Sequence, residues 1–170
     1  MMAQGSAGGV ELPPSDEIWY ISSNGGYVSF PYGTDFTDQP FVSNTYENGK
    51  GILKFASTIL KTSSPVWADV ELDALYFPDT LTTVQPNTFL STSIRRFYFG
   101  SRVRYIYSQA FAYTNVAYEI YIQTEKPPVL DPDTFDINLV AIYVPAEYVE
   151  RYKLALYWSN YADIIQSYAF

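Results

Sequence analysis

Short runs of an apolar residue, an outward-facing residue and a second apolar residue recur along the chain. They are Leu53-Lys54-Phe55, Leu75-Tyr76-Phe77, Phe97-Tyr98-Phe99, Ile120-Tyr121-Ile122 and Ile142-Tyr143-Val144, and their first residues are 22, 22, 23 and 22 positions apart. Because alternate residues of a strand point to opposite faces, each run predicts a short strand whose two outer residues lie in the core.

A second set of residues, all large and aromatic, keeps nearly the same interval. Trp67, Phe89, Phe111 and Phe135 are 22, 22 and 24 positions apart. One repeat cannot bury its apolar face alone, so we expect the repeats to stack into a solenoid with a continuous core. Phe89, Phe111 and Phe135 are expected to form a stacked aromatic spine behind the strands. The strand residues expected in the core are Leu75, Phe77, Phe97, Phe99, Ile120, Ile122, Ile142 and Val144.

The region before the repeats has the pattern of a β-hairpin cap. The apolar runs Ile18–Ile21 and Tyr27–Phe30 flank Asn24-Gly25, a dipeptide typical of two-residue hairpin turns. A second turn is predicted at Asn48-Gly49, leading into a strand over 52–55.

The region after the repeats has the pattern of a helical cap. Pro145 is suited to the first position of a helix, where its missing N–H has no partner to lose. Val149, Tyr152 and Leu156 then follow at helical spacing, and 158–168 predicts a second short helical or turn segment.

The repeats also carry motifs of a known family. Segments 88–94 and 110–116 are similar to the Ala-Phe-x-x-Thr/Cys-x-Leu step of BspA-like leucine-rich repeats, and 77–84 is similar to their Ile-Pro-Asp-Ser-Val-Thr-Ser-Ile step. Segment 127–135 resembles the family's Pro-Pro-rich final repeat, and 142–153 resembles its closing strand-to-helix segment.

Segments 17–20 and 42–49 look like the N-terminal entry of that family, so the resemblance covers about residues 17 to 168. Gln85 and Tyr107 stand where the family usually has Gly, and its usual Cys is absent. The resemblance implies a mainly β repeat solenoid of the leucine-rich-repeat type with an N-terminal β-hairpin cap and a C-terminal helical cap. The expected organisation is a tail over 1–17, the hairpin cap over 18–50, the solenoid over 51–144 and the helical cap over 145–170.

Composition narrows the classes of partner. The 170 residues correspond to about one domain, and the formal net charge is −8. Because an acidic surface is repelled by phosphate backbones, nucleic acid is a poor candidate partner. No apolar run approaches the roughly 18 residues that a membrane span needs. The N-terminal segment lacks the pattern of a signal peptide, which favours a virion or cytoplasmic location over a secreted one.

The chain lacks the residues of several common catalytic and metal sites. It contains no His and no Cys, which excludes Ser-His-Asp and Cys-His machinery and His or Cys metal sites. The acidic run 131–136 superficially suggests a calcium loop, but it has no Gly at the sixth position, and Ile142 replaces the Glu at the twelfth. A simple acidic turn is the favoured interpretation. No carboxylate pair suggests a glycosidase, so we expect no catalytic residue, metal or cofactor.

The middle residues of four predicted strands are tyrosines. Tyr76, Tyr98, Tyr121 and Tyr143 are expected to form a ladder on an exposed face, bordered by Arg96 and Glu119. Arg95, Arg96, Arg102 and Arg104 concentrate positive charge in one repeat. The ladder has two interpretations: it stabilises the sheet through cross-strand pairs, or it is a binding surface, since Tyr and Arg are enriched in binding hot spots.

Two functional hypotheses follow, and both depend on surface recognition. The first is a non-enzymatic accessory subunit of a larger assembly, such as a phage-like virion decoration, fibre or tail component. The second, which the family resemblance implies, is a bacterial cell-surface adhesin module that binds glycan or host protein. The expected partner is a protein or assembly neighbour, and a homo-oligomer formed through the N-terminal tail is also possible.

Overall fold

The computed structural model describes residues 9–63 and 67–170, and strands dominate it. The strands are β1 (Glu17–Ser22), β2 (Phe41–Glu47), β3 (Lys50–Phe55), β4 (Glu71–Tyr76), β5 (Thr83–Val84), β6 (Ser93–Ile94), β7 (Arg96–Phe99), β8 (Tyr105–Ile106), β9 (Tyr118–Ile122), β10 (Val129–Leu130), β11 (Leu139–Pro145) and β12 (Ile165–Tyr168). The helix α1 (Val149–Leu154) lies between the 3₁₀ segments Ala146–Tyr148 and Trp158–Ile164.

Nine strands form one mixed sheet, so the predicted fold class, a leucine-rich-repeat-like β solenoid, is wrong. The order is β12-β11-β9-β7-β4-β1-β3-β2, and β6 also pairs with β4. Strands β4, β7, β9, β11 and β12 run parallel to one another, whereas β1, β2 and β3 pair antiparallel and β1 also pairs antiparallel with β4.

The N-terminal strands are where the repeat pattern misled the prediction. The first triplet, Leu53-Lys54-Phe55, lies in β3, which is separated from β4 by β1 and runs antiparallel to β1. A strand edge with free N–H and C=O groups accepts another strand in either direction. The fixed interval therefore predicted where these strands occur, but not that β1 would lie between β3 and β4 and pair antiparallel with both.

The predicted hairpin around Asn24-Gly25 is also wrong. Residues 27–30 form no strand, because β1 is already paired along both edges, to β3 and to β4. A different hairpin is present, in which Asn48-Gly49 joins β2 to β3. The φ angles of these two residues, 53° and 82°, are the positive values that a type I′ turn requires.

The C-terminal region is less helical than predicted. Pro145 ends β11 and precedes the 3₁₀ turn and α1. The second predicted helical segment divides into a 3₁₀ stretch and β12, which extends the sheet by pairing parallel with β11. In place of the predicted helical cap over 145–170, the structure has two 3₁₀ segments, the short helix α1 and an edge strand.

The predicted core is confirmed. The eight strand residues expected inside are all fully buried. The ring of Phe111 lies 5.0 Å from that of Phe89 and 5.4 Å from that of Phe135, so the predicted spine is a continuous row, although its rings are tilted and not stacked. The aromatic row therefore packs along the inner side of the parallel strands.

A second, smaller sheet also contributes to the core. Its strands β5, β8 and β10 pair in parallel, and Val84, Ile106 and Leu130 are buried. The Arg104 N–H donates to the Thr82 carbonyl at 2.8 Å, and the Val129 N–H donates to the Arg104 carbonyl at 2.8 Å. These bonds fix the backbone around Arg104 and Val129, which line one of the two grooves described below.

Candidate functional site

The four predicted tyrosines form a continuous ladder. Tyr76, Tyr98, Tyr121 and Tyr143 are direct partners in the registers of β4, β7, β9 and β11. Neighbouring ring centroids are 4.3, 4.4 and 4.5 Å apart, and the interplanar angles are 2°, 19° and 18°. Adjacent strands lie about 4.8 Å apart, so stacked rings are what this register favours.

The expectation that the ladder is exposed is wrong. Tyr98 is only 7% exposed and Tyr121 only 8% exposed, while Tyr76 and Tyr143 are half-buried. Val10, Leu12 and Phe170 pack against the ladder, and the Tyr168 ring lies edge-on to those of Tyr121 and Tyr143, at 5.1 and 5.8 Å. The outer face of a sheet rich in aromatic side chains is itself apolar, so segments near both ends of the described chain cover it.

The two charged residues predicted beside the ladder lie at its border. Arg96 and Glu119 are Cα partners across β7 and β9. Arg96 is exposed, whereas Glu119 is half-buried and accepts a hydrogen bond of 2.8 Å from the Tyr121 hydroxyl. Burial raises the pKa of Tyr76 to about 12 and also raises that of Tyr98 and Tyr121. These three hydroxyls are therefore held in their neutral form, and the stacked rings fit the cross-strand interpretation of the ladder; its role in binding stays a prediction.

The N-terminal tail was the predicted route to a homo-oligomer. Residues 1–8 lie outside the described residues. The part that follows them, 9–14, contacts the protein's own sheet, because Val10 and Leu12 pack on the ladder and an added Cβ on Gly9 would meet the carbonyl carbon of Phe170 at 2.1 Å.

Loosening this cover should expose the ladder. In Val10→Ser/Leu12→Ser we expect nitration of Tyr98 and Tyr121 to accelerate about tenfold, since losing roughly 1.4 kcal/mol of local packing raises the open population by that factor. Mass spectrometry of nitrated peptides measures the rates, with exposed Tyr113 and buried Tyr118 as internal references. Val42→Ser, at an exposed residue of β2, is the control. Rapid nitration of Tyr98 in the unaltered protein would contradict the cover.

The carboxylates of the suspected calcium loop serve as acceptors within the protein. Asp131 accepts a hydrogen bond from the Ser108 N–H at 2.8 Å, and Asp136 accepts one from the Thr114 N–H at 2.6 Å. Asp133 accepts one from the Ser108 hydroxyl at 3.0 Å. Within residues 9–63 and 67–170, no group of three acidic side chains is placed to hold a metal ion. The acidic-turn interpretation fits these contacts.

Two concave surfaces that were not recognised in the sequence lie on the turns. One is a groove of about 600 Å³ bordered by Tyr113 and Ile137, called here the Tyr113–Ile137 groove. The other is a groove of about 440 Å³ bordered by Arg102, Arg104 and Lys126, called here the basic groove. The repeat interval could have indicated both grooves, because residues about one repeat apart lie side by side in neighbouring repeats. Ile137 follows Tyr113 by 137 − 113 = 24 positions, and Lys126 follows Arg104 by 126 − 104 = 22.

Comparison with models of known protein families finds no match, and comparison with curated proteins finds no significant similarity. The resemblance to BspA-like leucine-rich repeats therefore stays a hypothesis based on the motifs quoted above. Among the described residues, no helix has the length and apolar character needed to cross a lipid bilayer.

Proposed function

We propose that this protein is a non-enzymatic interaction protein, an accessory component of a larger assembly of the virion decoration, fibre or tail type. It contacts a protein neighbour through the Tyr113–Ile137 groove. One observation carries the proposal: Ile137 is 98% exposed and Tyr113 is 72% exposed, and both border the same groove. Large apolar side chains that share an exposed concave surface are typical of protein contact sites.

The backbone conformation at Tyr113 does not explain why a tyrosine occupies this position. Its φ is 55°, in the left-handed region that disfavours side chains with a Cβ by about 1–2 kcal/mol and favours Gly or Asn. Asp69 and Ser91 occupy the same region at 22-residue intervals before it, so the conformation belongs to the fold. A bulky, exposed tyrosine at this position is better explained by contact with a partner.

The turns that carry the groove are firmly held. Asp136 accepts hydrogen bonds from both the Thr114 N–H and the Thr114 hydroxyl, at 2.6 and 2.8 Å. The Asn138 side chain donates to the Thr114 carbonyl at 2.6 Å, and the Asn138 N–H donates to Asp136 at 2.9 Å. A surface fixed in this way loses little conformational entropy on binding, which favours affinity.

The chemistry of the groove favours a partner with an apolar side chain and a basic rim. Asp133 and Asp136 line the groove beside the two apolar residues. The chain's net charge of −8 would also attract a basic surface during association. The alternative, an adhesin that binds through the tyrosine ladder, required an exposed ladder, and the covered rings do not offer one.

Localisation of the protein with and without the two apolar side chains tests this proposal. An antibody against the native chain is used on fractionated cultures that produce the unaltered protein, and we expect the protein to co-sediment with particles. In Tyr113→Ser/Ile137→Ser the incorporated amount should fall about tenfold or more, because central contact residues typically contribute 1–2 kcal/mol or more each.

The matched control is Tyr27→Ser/Val42→Ser, which removes two other exposed apolar side chains and should leave incorporation unchanged. Circular dichroism and thermal unfolding check that all variants are folded. Recovery of the unaltered protein only as a free monomer would refute the proposal, and so would equal incorporation of the two double variants.

A further inference from the structure

We infer that the basic groove is a binding site for an acidic carbohydrate, with a carboxylate or sulfate group held by Arg104 and Lys126 and a sugar ring packed on Tyr105. This site lies on a different surface from the Tyr113–Ile137 groove and does not depend on the function proposed above. Its evidence is a local excess of uncompensated positive charge in an acidic protein, placed beside an exposed aromatic ring.

The basic groove is lined by positively charged residues, although the whole chain has a negative net charge. The net charge is −8, yet Arg102, Arg104 and Lys126 all border this one groove. Arg102 forms an ion pair with Asp79 at 3.5 Å. Across residues 9–63 and 67–170, no carboxylate lies within 4.0 Å of the Arg104 or Lys126 side-chain nitrogens, so both cations are available to an external anion.

The acidic residue that lines the groove is bound elsewhere. The Glu125 carboxylate accepts a hydrogen bond from Arg151 at 3.0 Å, and the same guanidinium also donates to the Glu125 carbonyl at 3.1 Å. Arg151 therefore offsets the one negative side chain that borders the groove. An anion entering it meets Arg104 and Lys126 without strong competition from within the protein.

The backbone holds Arg104 in place. Its N–H and its carbonyl are both used, by Thr82 on one side and Val129 on the other. Val103 and Thr124, which also line the groove, are buried and form its floor. The two backbone hydrogen bonds fix the position of the Arg104 backbone, and its planar guanidinium can form paired hydrogen bonds with a carboxylate or sulfate.

The exposed ring of Tyr105 indicates that the anionic group belongs to a sugar. Tyr105 is 41% exposed at the margin of the groove, and its ring lies nearly parallel to that of Tyr107, at 5.8 Å and 7°. A supported, rigid tyrosine ring offers a flat apolar surface with a polar edge, which suits the C–H face of a pyranose. The volume of about 440 Å³ is in the range of small-molecule sites.

Titration calorimetry with three matched probes tests the site at low ionic strength. The probes are tetragalacturonate, its methyl ester, which is the same sugar without charge, and tetraglutamate, which carries the charge on a peptide. We expect tetragalacturonate to bind, the methyl ester to bind at least about tenfold more weakly, and salt to weaken binding. No binding of tetragalacturonate would overturn the inference, and so would equal binding of the methyl ester.

Two double variants test whether tetragalacturonate binds in the basic groove. Arg104→Gln/Lys126→Gln should weaken binding of tetragalacturonate about tenfold or more, since two charge-assisted hydrogen bonds are lost. Lys61→Gln/Lys153→Gln changes the net charge equally, from −8 to −8 − 2 = −10, and should have little effect. Equal weakening by the two double variants would refute the assigned groove.

Tyr105→Leu separates a sugar site from a peptide site. It should weaken tetragalacturonate binding and leave any tetraglutamate binding unchanged. If tetraglutamate binds as tightly as the sugar and Tyr105→Leu affects neither ligand, the groove recognises acidic peptides and the carbohydrate assignment is wrong. Thermal unfolding of each variant checks that the change is confined to the groove.

Discussion

Phe111→Ala is expected to lower the free energy of unfolding by about 3–5 kcal/mol. Phe111 is fully buried at the middle of the aromatic row, and its ring lies within 5.7 Å of those of Phe89, Phe97, Tyr118 and Phe135. Truncation removes the transfer free energy of the ring and leaves a cavity lined by four rigid aromatic rings, which cannot collapse to fill it. Urea denaturation followed by fluorescence measures the loss.

Two further variants provide reference values for the loss of stability in Phe111→Ala. Phe111→Leu keeps most of the apolar volume and should lose only about 1–1.5 kcal/mol. Tyr113→Ala, two residues away, removes an aromatic side chain that is exposed, and it should change stability by no more than about 0.5 kcal/mol. Typical domains unfold at about 5–15 kcal/mol, so Phe111→Ala removes a large share of the total. Similar stabilities of Phe111→Ala and Tyr113→Ala would show that the row is not the centre of the core.

The parallel strands that pack on this row show what the sequence could predict. Burial of Leu75, Phe97 and Ile120 follows from the pleat, because residues two apart on a strand share a face and these apolar pairs flank an outward residue. The adjacency of β4, β7, β9 and β11 follows from the nearly equal spacing of their triplets, which is 22, 23 and 22 positions. Both properties are local or periodic, and such properties can be inferred from one chain.

The insertion of β1 between two repeat strands and the cover of the tyrosine ladder depend on contacts that no local pattern contains. Leu53-Lys54-Phe55 matches the other triplets and β3 runs in the same direction as β4, yet β1 lies between them and pairs antiparallel with both. Tyr98 and Tyr121 were correctly placed on the outer face, but their burial depends on Val10 and Phe170, which are distant in sequence. The apolar residues within the predicted tail were the one available signal of this cover.

The grooves were missed for a related reason. Arg102 and Arg104 were noticed as a cluster of positive charge, but Lys126 belongs to the next repeat and becomes their neighbour only when the repeats stand side by side. That Glu125 is held by Arg151 could not be inferred, because Arg151 lies on α1, after the last parallel repeat. Charge compensation is a property of three-dimensional proximity, so a charge count along the chain does not reveal which cations remain unpaired.

Gly51→Ala should be strongly destabilising although it adds a single methyl group. Gly51 lies in β3 directly opposite Tyr20 of β1 and Tyr46 of β2. A Cβ at Gly51 would lie 1.9–2.3 Å from three atoms of the Tyr20 ring, which covers the glycine. Overpacking of this kind costs typically 1–3 kcal/mol and more when the neighbour cannot move.

Tyr20 has little freedom to make room. It is fully buried, its hydroxyl donates to the Asn44 side chain at 3.0 Å, and the same oxygen accepts from the Val28 N–H at 3.3 Å. Moving the ring would break both hydrogen bonds or separate β1 from β3. We therefore expect a loss of about 3 kcal/mol or more, measured as the change in the free energy of urea unfolding.

A double-mutant cycle isolates the clash from other effects of adding a methyl group. Tyr20→Ala alone should be destabilising because it empties a buried site, but in that background Gly51→Ala should cost almost nothing, since the ring it would strike is gone. Gly26→Ala is the matched control: the nearest atom to its added Cβ is an Asn24 side-chain oxygen at 3.5 Å, an ordinary contact. Equal costs of Gly51→Ala with and without the Tyr20 ring would show that strand conformation, and not this close approach, requires glycine there.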